Sequence, residues 1–102
     1  MTGDPQLRML LWALNSADRF ATKPESKLLL IKLADLAGRR GRGPTVSEKI
    51  DWLQRSCDID RMSEFYACLG ELMRLGLVRD VSVKAENVIL TLSLDFDWED
   101  AP

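Results

Sequence analysis

The sequence predicts an α+β domain that is mainly helical and ends in a small β-hairpin. Up to Gly76, apolar residues recur mostly at the spacing of amphipathic helices. The last part contains two β-branched, largely alternating segments, 77–84 and 88–94, separated by Ala85-Glu86-Asn87, which is typical of a hairpin. With 102 residues, of which 46% are hydrophobic and 29% charged, the chain has the size and composition of one globular domain.

The first predicted helix, residues 5–21, is apolar on two sides. Asp4 can cap it, and Pro5 suits the first helical position. Such a helix requires two partners, so we expect one stripe on the core and the other on a second subunit; burial of both within the same chain is the alternative. One stripe comprises Leu7, Leu10, Leu11, Leu14, Ala17 and Ala21. The other, expected at the dimer interface, comprises Met9, Trp12, Ala13, Ser16 and Phe20.

The second predicted helix, residues 27–37, is apolar over most of its circumference, which places it at the centre of the core. Pro24 suits its first turn, and Gly38 is expected to stop it. The segment that follows, RRGRGPT at 39–45, is the only basic cluster of the sequence. Arginines on a glycine-rich backbone suit phosphate oxygens, so this loop is either a phosphate-contacting element or a solvated connection.

Two further helices joined by a tight turn are predicted next. The first, residues 47–57, leaves Trp52 on the side opposite its buried positions, and Val46 ahead of it can pair as a short strand. The second helix, residues 60–75, is expected to end at Gly76. Its buried stripe comprises Phe65, Leu69 and Leu72, with Met62 and Leu75.

This order of helix, helix, turn, helix and hairpin resembles that of the winged helix-turn-helix superfamily, most closely the compact winged helices of DnaD-type replication proteins and small phage or plasmid regulators. Residues 25–94 carry the resemblance, in the pieces ESKLLLIKLADLAG, VSEKIDWLQRSCDID and FYACLGELMRLGLV. The closing Leu72-xxx-Gly76-Leu77-Val78 is a pattern of packing positions and therefore indicates fold more than function. Gln54 and Asp58 replace the usual alanine and glycine, so a slightly altered helix–helix angle is expected.

The resemblance implies a winged helix-turn-helix with an extra N-terminal helix. It divides the chain into a helix and linker (1–24), the winged-helix domain (25–95) and an acidic C-terminal tail (96–102). It also implies that the helix at 60–75 enters the DNA major groove. We therefore expect a small transcriptional, replication or partition regulator that binds double-stranded DNA as a dimer. The residues expected to contact DNA are Arg39, Arg40, Arg42, Arg61, Ser63, Tyr66, Arg74 and Lys84.

An alternative is a winged helix that binds a protein instead of DNA, such as a phage- or plasmid-encoded inhibitor or an assembly factor. The sequence pI of about 5.1 supports it, as does the position of Glu64 and Glu71 beside the outward face of the helix at 60–75. Residues 1–94 carry fourteen basic and twelve acidic groups, so the excess acid lies in the tail. The expected protein-binding features are Trp52, Ala67, Gly70 and the acidic tail.

Several functional classes are disfavoured by the composition. The chain has no histidine and only two cysteines, Cys57 and Cys68, which leaves no zinc ligand set and no nucleophile–base pair. We expect no enzyme activity, no metal and no cofactor. Both cysteines occupy apolar helical positions, so buried free thiols in a reducing cytoplasm are favoured over a disulfide. No signal peptide or membrane span is evident in the sequence.

Overall fold

The computed structural model describes residues 5–20, 23–40 and 43–95, apart from the side chains of Pro5 and Arg40. Within these ranges the strands form one antiparallel sheet with the order β1-β3-β2. The chain is therefore an α+β domain, as predicted. Its elements are α1 (Pro5–Phe20), α2 (Pro24–Arg40), β1 (Thr45–Lys49), α3 (Ile50–Ser56), α4 (Met62–Arg74), β2 (Val78–Lys84) and β3 (Asn87–Leu92).

Helices α1 and α2 form an antiparallel hairpin held closely together at Gly38. The Gln6 side-chain amide donates to Asp35 Oδ1 at 3.2 Å, which ties the start of α1 to the end of α2. A Cβ atom on Gly38 would lie 2.9 Å from the Gln6 Cα atom. The prediction that Gly38 stops α2 was wrong, since the helix continues to Arg40. This glycine instead allows the two backbones to approach closely.

The burial of the two apolar stripes of α1 differs from the prediction, although Ala17 of the stripe expected on the core is buried. Met9 and Ala13 are fully buried, and Trp12 and Ser16 are nearly so, all within a single copy of the chain. These four residues therefore cannot form a dimer interface, because α1 uses that side to pack on its own core. Trp12 also lines a cavity with Leu75 and Leu77, which follow α4 in the sequence. The side chains left exposed are those of Leu7, Leu11, Leu14 and, from the predicted dimer stripe, Phe20.

The segment before α3 is a strand, where the sequence pattern had predicted a helix. Ser47 pairs with Ile89 and Lys49 with Asn87 in the β1–β3 ladder, and α3 begins only at Ile50. The predicted strand at Val46 is thus confirmed and is longer than expected. The Ile50 N–H donates to the Glu86 carbonyl oxygen at 3.0 Å, which satisfies a free donor at the start of α3. A contact with a distant hairpin turn therefore fixes where this helix begins.

In the connection between α3 and α4, Asp58 replaces the glycine that is usual in helix-turn-helix proteins but keeps a glycine-like backbone conformation. Asp58 adopts a φ of 57°, in the left-handed region that glycine usually occupies. The predicted change in helix–helix angle stays a prediction. Helix α4 starts after Arg61, its N-cap residue, which makes no side-chain capping bond. Gly76, with a φ of 76°, ends the helical segment as predicted.

Buried apolar side chains from α1, α2, α4 and the sheet meet in one core. Helix α4 contributes Phe65, Cys68, Leu69 and Leu72. Met62, predicted on this stripe, is 40% exposed at the first turn of the helix. The inner face of the sheet contributes Val46, Val78, Val88, Leu90 and Leu92. This arrangement leaves the outer side of α4 and the outer face of the sheet open to solvent.

Two irregularities shape the β2–β3 hairpin. Ala85 and Glu86 both have positive φ values, 50° and 69°, as type I′ turns require, although neither is glycine or asparagine. The β2–β3 register also shifts between Arg79 and Ser82, where Asp80 has a φ of 53°. This shift is a β-bulge, which inserts one additional residue opposite β3.

Candidate nucleic-acid interface

The outward side of α4 is uncovered along most of its length. Ser63, Ala67, Gly70 and Arg74 are all exposed. A Cβ atom built on Gly70 would meet no heavy atom within 4 Å. Gly70 therefore does not tighten packing inside the domain, so its open helix face is available to another molecule.

This face of α4 is less acidic than the sequence indicated. Glu71 had been placed beside the outward residues, but its side chain is only 14% exposed and accepts a hydrogen bond from the Lys23 backbone N–H at 3.2 Å. Arg74 lies 3.9 Å from Glu71, yet its own side chain is 75% exposed. Arg61 is exposed at the opposite end of α4. Of the two predicted glutamates, Glu64 is the one that stays exposed.

Two lysines flank the tip of the hairpin. Asn87 of β3 pairs with Lys49 on one side and with Lys84 on the other. Paired residues project to the same face of a sheet, so both lysines lie on its outer face, about 10 Å apart between Cα atoms. The sequence pattern predicts a helix over residues 47–57, so it indicates Lys84 as a candidate contact but not Lys49. The β-branched Thr45-Val46 at the start of the segment was the available signal for a strand.

The described end of the predicted arginine loop, residues 43–45, leads into the other end of the sheet. Thr45 pairs with Thr91 and Lys49 with Asn87, so β1 separates the arginine-loop end from the hairpin tip by four residues, about 13 Å. Arg39 is 68% exposed and forms a 3.0 Å ion pair with Asp35, one helical turn earlier. The Arg40 side chain and Arg42 lie outside the described residues.

Tyr66 lines a groove with mixed character between α3, α4 and the hairpin. The groove has a volume of about 420 Å³. Met62, Tyr66 and Val83 supply its apolar surface, and all three side chains are at least 40% exposed. Asp51 and Glu86 also line it, so this part of the surface is unfavourable for a phosphate group.

Trp52 and the two cysteines, which the sequence also singled out, each have a defined structural environment. Trp52 is 39% exposed, and the Lys32 ammonium lies 5.7 Å from the centroid of its ring, in cation–π range. Cys57 and Cys68 are free and buried. Burial raises the pKa of the Cys57 thiol to about 11, partly offset by Lys32 and reinforced by Cys68. Both thiols are therefore core side chains, and that of Cys57 has little reactivity at neutral pH.

Neither a cluster of metal-binding side chains nor a membrane-spanning helix occurs in the described ranges 5–20, 23–40 and 43–95. No group of acidic or cysteine side chains there has an arrangement that could hold a metal ion. In the same ranges, none of the helices has the length and apolar character needed to span a bilayer.

Comparison of the chain with protein-family models, with curated proteins and with solved structures finds no match. What the protein does must therefore be inferred from its own residues and their arrangement.

Proposed function

We propose that the chain is a winged helix-turn-helix protein that binds double-stranded DNA. Helix α4 enters the major groove, and the β2–β3 hairpin serves as the wing. The order α2, α3, turn, α4 and hairpin supports this assignment, and so does the glycine-like backbone at Asp58. Its role is that of a small transcriptional, replication or partition regulator. The free thiols favour a reducing compartment such as the cytoplasm.

The observation that carries the proposal is the open outer face of α4. This face combines small residues, which permit close approach, with arginines near both ends of the helix. Arg61 and Arg74 are both exposed and can reach phosphates or base edges. Lys84, a predicted DNA contact, adds a positive charge at the hairpin tip. Ser63 adds a hydroxyl donor in the first turn of α4, where base contacts are common.

The proposed DNA-binding unit is a homodimer that is joined through α1. The interface is the exposed stripe of Leu7, Leu11 and Leu14, which replaces the buried stripe predicted from sequence. These leucines are spaced by four and three residues, so they lie along one face of the helix. Each of the three is about half exposed. A second α1 packed against this stripe would bury apolar surface that a single copy leaves in water.

A fluorescence-anisotropy titration with mixed-sequence duplex DNA at 50 and 150 mM salt tests the function. We expect binding that weakens steeply with salt. Arg61→Ala and Arg74→Ala should each reduce affinity by about tenfold, since each removes a charge from the contact face. Lys27→Ala, which removes one positive charge from α2, is the matched control. Absence of binding at 50 mM salt by the folded protein would rule out this function.

A second candidate function is protein binding through the groove beside Tyr66. The combination of exposed Met62, Tyr66 and Val83 with two carboxylates favours a partner that presents an apolar side chain next to a basic one. Exposed Ala67 and Gly70 would let a partner helix approach α4. The DNA titration separates the two functions, because a protein-only module would not bind duplex at any salt concentration. The acidic tail, also a predicted protein-binding feature, lies outside the described residues.

A further inference from the structure

The outer face of the sheet is a regular array of polar and basic side chains. Register places its residues in three rows that each cross β1, β3 and β2. Since partners in a row share a face, these side chains project away from the core. The rows are Thr45–Thr91–Arg79, Ser47–Ile89–Ser82 and Lys49–Asn87–Lys84.

The array is basic and otherwise almost entirely polar. Lys49, Arg79 and Lys84 are exposed and supply three positive charges. The other positions are hydroxyl or amide side chains, with Ile89 as the single apolar residue, and no position in the rows is a carboxylate. The nearest acidic residues within the described hairpin, Asp80 and Glu86, lie at the bulge and at the turn. Hydroxyl, amide and cationic donors are the groups that contact nucleic-acid backbones without reading sequence.

The β-bulge at Asp80 keeps the array in register. Successive side chains of a strand alternate between faces, so Arg79 and Ser82, three positions apart, would otherwise face opposite sides. The additional residue shifts the alternation and returns Ser82 and Lys84 to the face occupied by Arg79. Asp80 adopts a φ of 53° at this point, in the left-handed region that favours glycine. The strained residue thus maintains a continuous polar face.

The array runs along the sheet from the hairpin tip to the end that follows the arginine loop. Its Lys49–Asn87–Lys84 row lies at the hairpin tip, beside the start of α3. Its Arg79 row lies at the end reached by the arginine loop, where the Leu92 N–H donates to the Pro44 carbonyl oxygen at 2.9 Å. The array is about 10 Å wide and 13 Å long between Cα atoms, enough for several consecutive phosphates of one strand.

We propose that this outer sheet face binds the phosphate backbone of duplex DNA, as a second contact surface distinct from α4. The proposal rests on the proposed DNA-binding function and extends the contact from the hairpin tip towards the arginine loop. The contacted backbone belongs either to DNA flanking the segment held by α4 or to a second duplex. The phosphate chemistry is the same in both cases, and stoichiometry distinguishes them.

The test compares two double variants of the full chain. K49A/R79A removes two exposed cations from the array and leaves α4 and Lys84 intact. R19A/K27A removes the same charge from helices α1 and α2 and is the matched control. Anisotropy titrations with 12- and 24-base-pair duplexes between 50 and 200 mM salt give affinity and its salt slope. Circular dichroism verifies that each variant is folded.

We expect K49A/R79A to bind the longer duplex at least about tenfold more weakly than the control. Its salt slope should fall by about two, since each lost phosphate contact removes about 0.9. If K49A/R79A weakens binding only to the 24-base-pair duplex, at one-to-one stoichiometry, the sheet face contacts DNA that flanks the α4 site. If the variant instead loses a second bound duplex, the sheet face contacts a separate DNA molecule.

Affinity and slope equal to those of the control would overturn the proposal while leaving DNA binding by α4 intact. The cations would then serve to block edge-to-edge pairing of β1 and β2. Absence of binding by the unaltered protein would instead overturn the proposed function together with this extension of it.

Discussion

At the scale of single residues, Cys57 has a perturbed ionisation equilibrium that affects stability. Burial raises the pKa of its thiol from 9.0 to about 11, with Lys32 lowering it and Cys68 raising it to smaller extents. The thiol of the unfolded chain therefore ionises before that of the folded chain. Above pH 9 the unfolded state binds fewer protons than the folded state, so the free energy of unfolding falls as pH rises towards 11.

We expect this single group to cost the protein about 2 kcal/mol of stability between pH 8 and pH 10.5. Urea denaturation at the two pH values measures the loss. The Cys57→Ala variant provides the comparison, since it lacks this thiol. Ionisation of other groups at high pH affects the variant and the unaltered protein alike. The same pH-dependent loss in the variant would show that Cys57 does not contribute to it.

The glycines show what one residue in a sequence can and cannot predict. Gly76 ends α4 as expected, because the signal for a helix end is local and the residue adopts a positive φ. Gly38 carries the same local signal, but its function is to accommodate Gln6, which lies 32 positions earlier in the numbered sequence. The contact that explains Gly38 exists only after α1 and α2 have packed.

At the scale of elements, α1 illustrates the limit of periodicity. Its two apolar stripes were recognised from spacing, but spacing does not determine which of them meets the core. Met9 is fully buried, whereas Leu11 is 49% exposed. The stripe that meets the core is determined by α2 and the Leu75–Leu77 segment, which pack against α1. The sequence of α1 alone carries no information about these neighbours.

Substitution of one residue from each stripe tests this arrangement. Met9→Ala should destabilise the domain by about 2–5 kcal/mol, since it leaves a cavity in the core. Leu11→Ala should cost less than about 1 kcal/mol in the monomer and should weaken self-association. Urea denaturation and sedimentation over a concentration series measure the two effects. If Leu11→Ala were the more destabilising change in a protein that remains monomeric, the assignment of the stripes would be wrong.

The hairpin turn offers a stabilising substitution. Ala85 and Glu86 both occupy left-handed backbone conformations, for which Asn-Gly is the preferred sequence. The double variant A85N/E86G should raise the free energy of unfolding by about 1 kcal/mol and the Tm by about 4–8 °C. The hydrogen bond from Ile50 to residue 86 uses a backbone carbonyl, so it is retained.

Thermal unfolding followed by circular dichroism measures the change in the turn variant. Ser82→Gly, in the interior of β2, serves as the control and should destabilise the domain. A turn variant that melts at a lower temperature than the unaltered protein would contradict the strain assigned to residues 85 and 86.

At the scale of the whole molecule, charge distribution governs any interaction with DNA. Residues 96–102 contain Asp97, Glu99 and Asp100, so their removal changes the formal net charge from −2 to +1. We expect a chain ending at Asp95 to bind duplex DNA several-fold more tightly at 50 mM salt. The difference should shrink at 300 mM, because salt screens long-range repulsion.

Anisotropy titrations of both chains with one duplex provide the measurement for the tail. A full-length variant, D97N/E99Q/D100N, separates the effect of charge from that of chain length. Equal affinities of all three proteins at 50 mM salt would show that the tail does not repel DNA.

The sequence predicted the type of an element well where the signal was local. It predicted the type less well where contacts with residues distant in the sequence determine the structure. The hairpin, α4 and the central helix follow from alternation and helical spacing in residues 27–37, 60–75 and 77–94. Strand β1 was predicted only in part, because residues 47–49 continue the helical spacing of the segment after them but pair with β3 instead. Lys49 and the bulge at Asp80 became apparent only once the register of three strands was known.

The hydrogen bond between the Ile50 N–H and the Glu86 carbonyl makes one amide proton a reporter of the hairpin. This amide opens α3, yet its acceptor lies at the tip of a hairpin 36 positions further along the chain. Its exchange with solvent deuterium therefore requires the hairpin tip to separate from α3. A ligand that holds the hairpin should slow exchange at Ile50 even if it never touches α3. A single backbone resonance can thus follow occupancy of the hairpin in the unaltered protein.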